Sequence, residues 1–444
     1  MGIKYPDFDR KNQDGYDGND KNYYYRNLEK TKSSLPLVGM HECDVCIVGA
    51  GFTGLATAYF LRHSGLKVSL IERHNAGWGA SGRNGGQLLP GWSADMDYIA
   101  QKYGTVYARC LWDFSVEGID IVKSIISEHK VDCDYKSGAC YLGYKEKHRE
   151  KLKLYASKIS EDYNYNIDFR EGNDVAAMTG TDFYSSAVFM PEAGHLDPYK
   201  YILELTQILK QSGITFFENT PAEKISGEDE SYIIKTPNGI IKTAHIVLCG
   251  DAYLGMLIPE LRQKYILSHC NMIATNPLEN QDIIIPRDLA CCEYTIFMNF
   301  FRKSADGSLI FGGGDALMPG VSLRHTRKKN INFLVQQMST IFPSLVHEKI
   351  RYKWGGSMAV TSSMLPNVGE VMPNIFYANG YSGHGFNNAH RMGKLLADSL
   401  LGKCKGYKVF EPVENKLFHG YGQWDRSFLA MGMMFERLKE RFWN

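Results

Sequence analysis

A glycine-rich turn between two apolar segments, within residues 43–72, is the feature that most constrains how this chain folds. The run from Asp44 to Val48 is short and rich in β-branched residues, which predicts a buried strand. An apolar helical pattern follows the glycines of a G-x-G-x-x-G spacing, which are Gly49, Gly51 and Gly54. We expect the first glycine to permit a tight turn and the second to let a pyrophosphate approach the backbone. The third should let the helix pack closely against the strand.

The acid at the end of the next apolar segment indicates which nucleotide binds. Val68 to Ile71 predicts a second strand, and Glu72 follows it, 72 − 54 = 18 residues after Gly54. This spacing is close to the ~20 residues at which an acid meets a ribose hydroxyl. A carboxylate would repel a 2′-phosphate. The stretch therefore predicts an α/β fold with a Rossmann-like unit that binds FAD or NAD in preference to NADP.

The composition is that of an ordinary globular protein and excludes some classes of partner. Hydrophobic residues make up 44% of the chain and charged residues 22%. A length of 444 residues predicts two or more domains. The formal net charge of +1 gives no electrostatic reason to bind nucleic acid or an anionic membrane surface.

The amino-terminal sequence and the lengths of the apolar runs indicate the cellular location of the protein. The polar sequence at the amino terminus does not match a secretory signal peptide. The apolar runs are all shorter than the ~20 residues that a membrane span requires. We therefore expect a cytoplasmic protein with no membrane span, and the sequence does not indicate its oligomeric state.

The cysteines are expected to be free thiols. There are 10 of them, scattered along the chain, and a reducing cytosol keeps most such thiols unpaired. Cys43 and Cys46 form a C-x-x-C pair on a predicted strand, where their side chains would point to opposite faces. No second pair stands at zinc spacing, so we expect no metal site.

Two further glycine-rich segments recur later in the chain. The segment Gly77 to Gln87 follows the ribose acid directly, and we favour cofactor contact over a structureless linker for it. The segment Gly380 to Gly385 precedes a predicted helix that begins near Asn387. A glycine loop followed by a helix binds anions, because the first turn has free N–H groups and about half a positive charge.

The rest of the chain predicts a mixture of helices and strands. Helical spacing of apolar residues recurs in 95–129, 145–163 and 324–342, and strands are predicted at 135–144, 213–225, 232–236 and 240–248. Longer strands at 268–275 and 290–301 predict a separate antiparallel sheet. Tyr23, Tyr24 and Tyr25 are expected to attach an otherwise irregular N-terminal arm to the body of the protein.

Taken together, several motifs resemble the D-amino-acid-oxidase-like flavoproteins. The motifs are GAGFTG, GASGRNGGQ, WGG with LPNVG, and GYSGHGFNNAHRMGKLLA. The resemblance implies a Rossmann-like FAD-binding domain with an inserted antiparallel α+β substrate domain. The implied limits are an N-terminal arm at 1–42, a discontinuous FAD-binding domain at 43–100, 186–265 and 350–402, a substrate domain at 101–185 and 266–349, and a helical tail at 403–444.

The same resemblance implies which residues contact FAD, whose attachment is expected to be noncovalent. At the pyrophosphate it implies Gly49, Ala50, Gly51, Phe52, Thr53 and Gly54, and at the ribose and adenine Glu72, Arg73 and Ala222. Along the isoalloxazine it implies Ser81, Gly82, Arg83, Asn84, Gly85, Gly86 and Gln87. At the pyrimidine end it implies Gly380, Tyr381, Gly383, His384 and Gly385. A predicted strand at 244–252 that returns to the Rossmann-like sheet adds Gly250 at the nucleotide site.

The implied activity is that of an FAD-dependent amine oxidase. A hydride would leave the carbon next to the nitrogen of a small-molecule amine, such as γ-glutamylputrescine or a related polyamine or amino acid. Dioxygen would be the acceptor, and the products would be an aldehyde, ammonia and hydrogen peroxide. The alternatives are an amino-acid dehydrogenase that passes electrons to a quinone, and a flavin-binding protein without turnover.

Two residues are candidates for a part in catalysis. Arg302 would grip a substrate carboxylate, or it would be a solvated arginine at the end of a strand. His384 would add positive charge beside the flavin, or it would only pack. A third residue, His269, would support oxygen reduction if charged, and packing is the alternative.

Overall fold

Two β-sheets organise the part of the chain that the structure describes. The structure is a computed structural model, and it describes residues 22–30, 33–228, 231–295, 298–313 and 328–418. In chain order the strands are β1 (Gly39–Val48), β2 (Val68–Ile71), β3 (Gln87–Leu88), β4 (Lys136–Gly143), β5 (Asp168–Glu171), β6 (Ser186–His195), β7 (Thr215–Phe217), β8 (Lys224–Glu228), β9 (Ser231–Lys235), β10 (Gly239–Leu248), β11 (Tyr265–Pro277), β12 (Ala290–Glu293), β13 (Asn299–Lys303), β14 (Ser308–Gly313), β15 (Ile350–Thr361), β16 (Asn367–Met372) and β17 (Ile375–Asn379).

The helices cover the faces of these sheets. In chain order the α-helices are α1 (Phe52–Leu61), α2 (Met96–Tyr103), α3 (Thr105–His129), α4 (Glu146–Tyr163), α5 (Asn173–Thr179), α6 (Pro198–Gln211), α7 (Pro259–Arg262), α8 (Lys328–Ile341) and α9 (Phe386–Leu400). Short 3-10 helices span Tyr23–Lys30, Ala80–Gly82, Asp251–Met256, Pro343–Leu345 and Gly406–Phe410. The helices predicted at 95–129, 145–163 and 324–342 are confirmed over α2, α3, α4 and α8.

The first sheet has the predicted Rossmann-like core. Its order is β16-β17-β10-β1-β2-β7, and the hairpin of β8 and β9 joins at β10. Strand β1 pairs in parallel with β2 and with β10, and β10 pairs in parallel with β17. Helix α1 connects β1 to β2, so the glycine motif stands at the carboxyl end of the central strand, as predicted.

The second sheet is mostly antiparallel, with the order β15-β11-β14-β13-β12-β4-β6-β3. One pair, β4 with β12, is parallel. The single strand predicted at 290–301 is wrong, because β12 ends at Glu293 and β13 begins at Asn299 as its antiparallel neighbour. The strand predicted at 213–225 is also two separate strands, β7 and β8.

The sheets do not follow the predicted domain limits everywhere. Strands β6 and β15 lie in ranges assigned to the FAD-binding domain, yet both hydrogen-bond within the second sheet. Strand β1 begins at Gly39, inside the predicted N-terminal arm. The exact domain limits stay a prediction, and most of the predicted tail at 403–444 lies outside the described residues.

The N-terminal segment (residues 22–30) is held against the second sheet by its tyrosines. Tyr23 and Tyr24 are buried, at 0% and 3% exposure, in a cluster with Trp354. The ring of Tyr24 meets that of Trp354 edge-on, with 5.7 Å between centroids. The predicted attachment of the arm by these tyrosines is confirmed.

A close contact between α1 and α9 brings the first and last glycine motifs together. A Cβ on Gly393 of α9 would stand 2.5 Å from the Cβ of Ala56 in α1, so the two helices touch backbone to backbone there. The hydroxyls of Thr53 and Tyr381 share a hydrogen bond of 2.7 Å near the helix starts. The amino-terminal ends of α1 and α9 therefore lie next to each other.

The ten cysteines all fall within the described residues, and none of them forms a disulfide there. The expectation that Cys43 and Cys46 point apart is wrong, because both side chains lie in the same buried cluster, whereas those of Val45 and Ile47 lie in another. The N–H groups of Asp44 and Val45 both donate to the Lys67 carbonyl, at 2.9 and 3.2 Å. The regular alternation of the strand is interrupted there, which brings the two thiols to one side.

Among the described residues, no helix has the length and the apolar sequence that crossing a membrane requires. The cytoplasmic location stays a prediction.

Gly54→Ala tests whether close helix–strand packing is necessary. The added Cβ would stand 1.9 Å from the Gly49 carbonyl oxygen, which is backbone and has no room to move. We expect a loss of about 1–3 kcal/mol in the free energy of unfolding together with reduced FAD content. Thermal unfolding measures the loss of stability, and the ratio of flavin to protein absorbance measures the FAD content.

Gly65→Ala is the matched control for that substitution. A Cβ at Gly65 meets nothing within 4 Å, and its positive φ of +82° adds only backbone strain. That strain costs about 1–2 kcal/mol, and the variant should retain its FAD. Equal flavin content in Gly54→Ala and the wild type would contradict the packing role.

Candidate functional site

A cavity of about 1200 Å³ lies at the carboxyl ends of the parallel strands. Val48 and Ile71, the last residues of β1 and β2, line it from the first sheet. Residues of β11, β12 and β15 line it from the second sheet. Ligands of open α/β sheets bind at this edge of the sheet. All three glycine-rich segments found in the sequence contribute to the lining.

The first glycine segment presents a helix start to the cavity. Gly49 has a φ of +109°, and a Cβ there would lie 2.8 Å from the Cys249 carbonyl oxygen. Gly51 precedes α1 without a side-chain cap, and the first turn of α1 contains no acid. Ser81 Oγ accepts a hydrogen bond from the Phe52 N–H at 3.0 Å. The positive end of α1 thus faces the cavity and suits a pyrophosphate.

Glu72 lines the cavity and also supports the turn before α1. Its Oε2 accepts from the Ala50 N–H and its Oε1 from the His74 N–H, both at 2.9 Å. Burial raises the pKa of this carboxyl group. The Ala50 N–H is therefore engaged by Glu72, and Ala50 is outside the cavity lining. Arg73 and Ala222 line the same end of the cavity.

The central glycine loop (residues 77–87) is held from outside by donors that come from distant parts of the chain. Each carbonyl oxygen from Gly82 to Gly86 accepts a hydrogen bond. In order, the donors are Asn22 Nδ2 at 3.1 Å, Trp354 Nε1 at 3.0 Å, Tyr24 Oη at 2.8 Å, Arg302 Nε at 2.6 Å and the Leu196 N–H at 2.9 Å. The peptide planes of this part of the loop are thereby fixed.

The last glycine segment leads into α9 and faces the cavity. Its first N–H, on Gly380, donates to Asp251 Oδ1 at 2.8 Å. Helix α9 follows Gly385 without a side-chain cap and has no acid in its first turn. Because uncapped N–H groups and the helix dipole both favour negative charge, this end of the cavity suits an electron-rich ring system.

His384 lies in the lining next to α9 and is a hydrogen-bond donor. Its Nε2 is 2.9 Å from the carbonyl oxygen of Leu89. Burial lowers the pKa of His384 below its ordinary value. The imidazole is therefore neutral at pH 7, which favours packing over an added positive charge.

Arg302 lies outside the cavity lining and is not solvated. The side chain is 2% exposed. Besides its bond to Gly85, it donates from Nη1 to the Lys303 carbonyl at 2.9 Å and from Nη2 to Tyr24 Oη at 3.2 Å. Its guanidinium holds the central glycine loop and does not reach into the cavity, so the geometry does not support the predicted grip on a substrate carboxylate.

The structure brings most of the predicted cofactor residues to one surface. In the lining are Gly49, Gly51, Phe52, Thr53, Glu72, Arg73, Ser81, Arg83, Asn84, Gly85, Gln87, Ala222, Gly250, Tyr381, Gly383, His384 and Gly385. Outside it are Ala50, Gly54, Gly82, Gly86 and Gly380. The outlying glycines have packing roles: a Cβ on Gly82 or Gly86 would come within 2.2 Å of a backbone oxygen.

Some lining residues were missed by the sequence reasoning. Asp251 is one, and its carboxylate joins the last glycine segment to β15 by accepting from the Gly380 and Ala359 N–H groups. Glu293 and three tyrosines are further examples, and they line the half of the cavity formed by the second sheet. The tyrosines are Tyr141, Tyr155 and Tyr294. No local pattern marked them, since each comes from a different element.

The residues present fit a flavin dinucleotide. Two helix starts without an acid in the first turn face one cavity, and the residue before each helix, Gly51 or Gly385, has no side chain to hold a phosphate or a ring away from the backbone. A model of the "FAD dependent oxidoreductase" family, DAO, matches residues 44–399. The chain belongs to this family and is an FAD-dependent oxidoreductase.

Individual relatives agree with this family assignment. The chain is 29% identical over 423 residues to the gamma-glutamylputrescine oxidoreductase of Escherichia coli K12, covering 94% of this chain and 98% of that protein. It is 28% identical over 407 residues to the probable oxidoreductase OrdL of Haemophilus influenzae, covering 90% and 92%. The fold matches that of L-proline dehydrogenase from P. horikoshii with a TM-score of 0.69 at 20% identity, covering 86% and 100%.

Tyr24→Phe tests the support of the central glycine loop by the N-terminal segment. The substitution removes the hydroxyl that donates to the Asn84 carbonyl and accepts from Arg302. A buried group left without its partner costs about 1–3 kcal/mol. We expect a lower unfolding temperature and a shifted visible spectrum of the bound flavin.

The control removes a tyrosine hydroxyl from the surface. Tyr98 is 44% exposed, and Tyr98→Phe should change the free energy of unfolding by less than about 0.5 kcal/mol. If Tyr24→Phe matched this control in both the unfolding temperature and the flavin spectrum, the loop would not depend on the N-terminal segment.

Denaturation tests the predicted noncovalent attachment of FAD. Cys249 and Cys270 line the cavity, and burial raises the pKa of each thiol to about 12. A thiolate is the nucleophilic form of cysteine, so neither residue is prepared to bond to the ring. Acid precipitation should release all of the flavin into the supernatant, and a yellow pellet would contradict the prediction.

Proposed function

We propose that this protein is an FAD-dependent amine oxidase. It takes a hydride from the carbon next to the nitrogen of γ-glutamylputrescine, or of a related polyamine or amino acid. With dioxygen and water, the products are an aldehyde, ammonia and hydrogen peroxide. The similarity to the E. coli enzyme, over 94% of this chain, supports the choice of substrate class.

The observation that carries the proposal is the continuity of the cavity. It runs from the nucleotide-binding glycines of the first sheet to strands β11 and β12 of the second sheet. A small molecule in the second-sheet half would lie against the central glycine loop, which the proposal places beside the isoalloxazine ring. Gln87 lies where the central glycine loop meets the second sheet, because its amide oxygen accepts a hydrogen bond from the Cys292 thiol of β12 at 2.8 Å.

The chain's own groups orient the reactants and stabilise charge, while bound FAD accepts the two electrons of the reaction. The hydrogen bonds from Asn22, Tyr24, Trp354 and Arg302 hold the central glycine loop in place. The start of α9 provides a fixed positive potential where negative charge accumulates. These contributions are made before the reaction begins and require no rearrangement during it.

Enclosure of the substrate also favours its reactive form. An alkylammonium has a pKa near that of a lysine, about 10.4, and only the neutral amine has the lone pair that assists hydride loss. Removal of an ammonium ion from water lowers its pKa. A desolvating cavity therefore shifts the bound amine toward the neutral form.

Anaerobic reduction tests the proposed function. The purified holoenzyme is mixed without oxygen with γ-glutamylputrescine, putrescine, other polyamines, sarcosine and D-amino acids. We expect at least one amine to bleach the flavin absorbance with saturating kinetics. Admission of air should then restore the absorbance with release of one equivalent of hydrogen peroxide.

Alcohols of the same chain length serve as control compounds, because they lack the nitrogen lone pair and should leave the flavin oxidised. Reduction without peroxide release, with turnover restored by a soluble quinone, would identify the acceptor as a quinone. Failure of every amine to reduce the flavin would refute the proposed activity.

A further inference from the structure

Three tyrosine rings meet in the half of the cavity formed by the second sheet. We name them the tyrosine cluster: Tyr141 of β4, Tyr155 of α4 and Tyr294, which follows β12. The ring centroids lie 5.9 Å apart for Tyr141 and Tyr155, 5.8 Å for Tyr141 and Tyr294, and 5.5 Å for Tyr155 and Tyr294. All three residues line the cavity, so the cluster forms one continuous part of its wall.

The hydroxyl groups of the tyrosine cluster are open to the cavity. None of the three has a hydrogen-bond partner within the described residues. None is enclosed by protein, as the unpartnered hydroxyls of Tyr135 and Tyr165 are. Burial of the rings raises the pKa of all three groups above the ordinary value for tyrosine. Each hydroxyl therefore keeps its proton and can donate it to a ligand.

A lysine of α4 stands next to the cluster. Lys151 precedes Tyr155 by four positions, and residues at this spacing lie one above the other on the same face of a helix. Both residues line the cavity. Lys151 is exposed, and it has no ion-pair partner in the part of the chain that the structure describes. Its ammonium group is therefore available to a ligand that the hydroxyls contact.

The other charged side chains of α2 and α4 that line this end of the cavity balance each other. Lys158 forms an ion pair with Asp97. Asp95 caps α2 by accepting a hydrogen bond from the Asp97 N–H. Asp95 and Lys147 are both exposed and carry opposite charges. The charge of Lys151 remains, so the net potential beside the cluster favours an anion.

The carboxylate of Glu293 is directed away from the cluster. Successive side chains of a strand point to opposite faces of the sheet, and Cys292 shares its face with Tyr141, its register neighbour in β4. Glu293 therefore points to the other face, where its carboxylate accepts hydrogen bonds from the Tyr184 hydroxyl and the Asn299 amide. It does not oppose the binding of an anion by the cluster.

Strand pairing separates the cluster from the central glycine loop. Tyr141 stands opposite Cys292, and neighbouring strands lie about 4.8 Å apart. The Cys292 thiol donates to Gln87, a residue of the loop. One strand spacing and one side chain thus lie between the loop and Tyr141. A group held by the cluster therefore belongs to a part of the ligand that is several bonds away from the reacting carbon.

We propose that the tyrosine cluster and Lys151 form a subsite for a carboxylate at the far end of the substrate from the reacting amine. Hydroxyl groups donate strong hydrogen bonds to an ionised acceptor, and an ammonium group adds direct attraction. This inference rests on the proposed function. It narrows the substrates to amines whose far end carries a carboxylate, such as γ-glutamyl amines and long ω-amino acids.

A pair of isosteric amines tests the subsite in the unmodified holoenzyme. ε-Aminocaproate and ε-aminocaproamide have the same length and shape and differ in the charge at the far end. Dissociation constants are read from the perturbation of the flavin spectrum without oxygen. We expect the carboxylate to bind at least about tenfold more tightly than the amide. The advantage should be smaller for γ-aminobutyrate over its amide, because that chain is two methylene groups shorter.

Substitutions then assign the preference to the proposed residues. Lys151→Gln and Tyr155→Phe should each reduce the ratio of the two dissociation constants by about threefold or more, and the double variant should bring the ratio close to one. Lys153→Gln is the matched control for the charge, since Lys153 is an exposed lysine of α4 outside the cavity lining. Tyr98→Phe is the control for the hydroxyl. Each variant is first checked for the visible spectrum of bound flavin.

The outcomes separate this inference from the proposed function. Equal affinity for the carboxylate and the amide in the wild type, or no binding of either, would overturn the subsite even if other amines reduce the flavin. A preference that survives in the double variant would overturn the assignment to these residues. A preference that depends on them, in a protein whose flavin no amine reduces, would support the subsite and refute the oxidase.

Discussion

The central glycine loop depends on hydrogen bonds from parts of the chain that are far apart in sequence. Asn22 and Tyr24 come from the N-terminal segment, Arg302 from β13 and Trp354 from β15. Glycine gives a loop many conformations, so a loop of this composition has little preference of its own. Each external donor binds one carbonyl oxygen of the loop and so fixes the orientation of one peptide plane. The conformation of the loop is therefore set by the second sheet and by the N-terminal segment that hold it.

This arrangement explains why an arginine is buried outside the cavity lining. Arg302 carries a charge into a site where it is 2% exposed, which is costly unless its donors are used. Its Nε, Nη1 and Nη2 groups donate hydrogen bonds to Gly85, Lys303 and Tyr24, respectively. A planar guanidinium spans partners at fixed angles better than an ammonium group does. The residue acts on the cofactor site through the backbone that it positions.

Local spacing was sufficient to predict the nucleotide half of the site. The positions of Gly49, Gly51, Gly54 and Glu72 are determined by one strand, one helix and the next strand, all within 30 residues. The density of glycine marked the other two segments as well. These glycine patterns predict a binding site because the close approach of the backbone to a ligand is determined by residues that are neighbours in the sequence.

The half of the cavity formed by the second sheet could not be predicted in this way. Its residues are joined by contacts across great distances in the chain, such as the 205 positions between Gln87 and Cys292. Apolar periodicity in 290–301 did not reveal the break after Glu293, because both strands that flank it are buried. Tyr141, Tyr155 and Tyr294 resemble ordinary core tyrosines when each is viewed within its own element, and only the structure shows that they converge on one cavity.

The meeting of α1 with α9 also has a consequence for how the protein matures. On the ribosome, Gly51 emerges hundreds of residues before Gly385. Until α9 packs through Gly393 against Ala56, the wall that closes the dinucleotide cleft is missing. Domains generally fold as units during synthesis. In this protein, however, the FAD-binding site cannot be completed until the last glycine segment has been synthesised. A complete site for the vitamin-derived prosthetic group therefore requires that synthesis has passed α9.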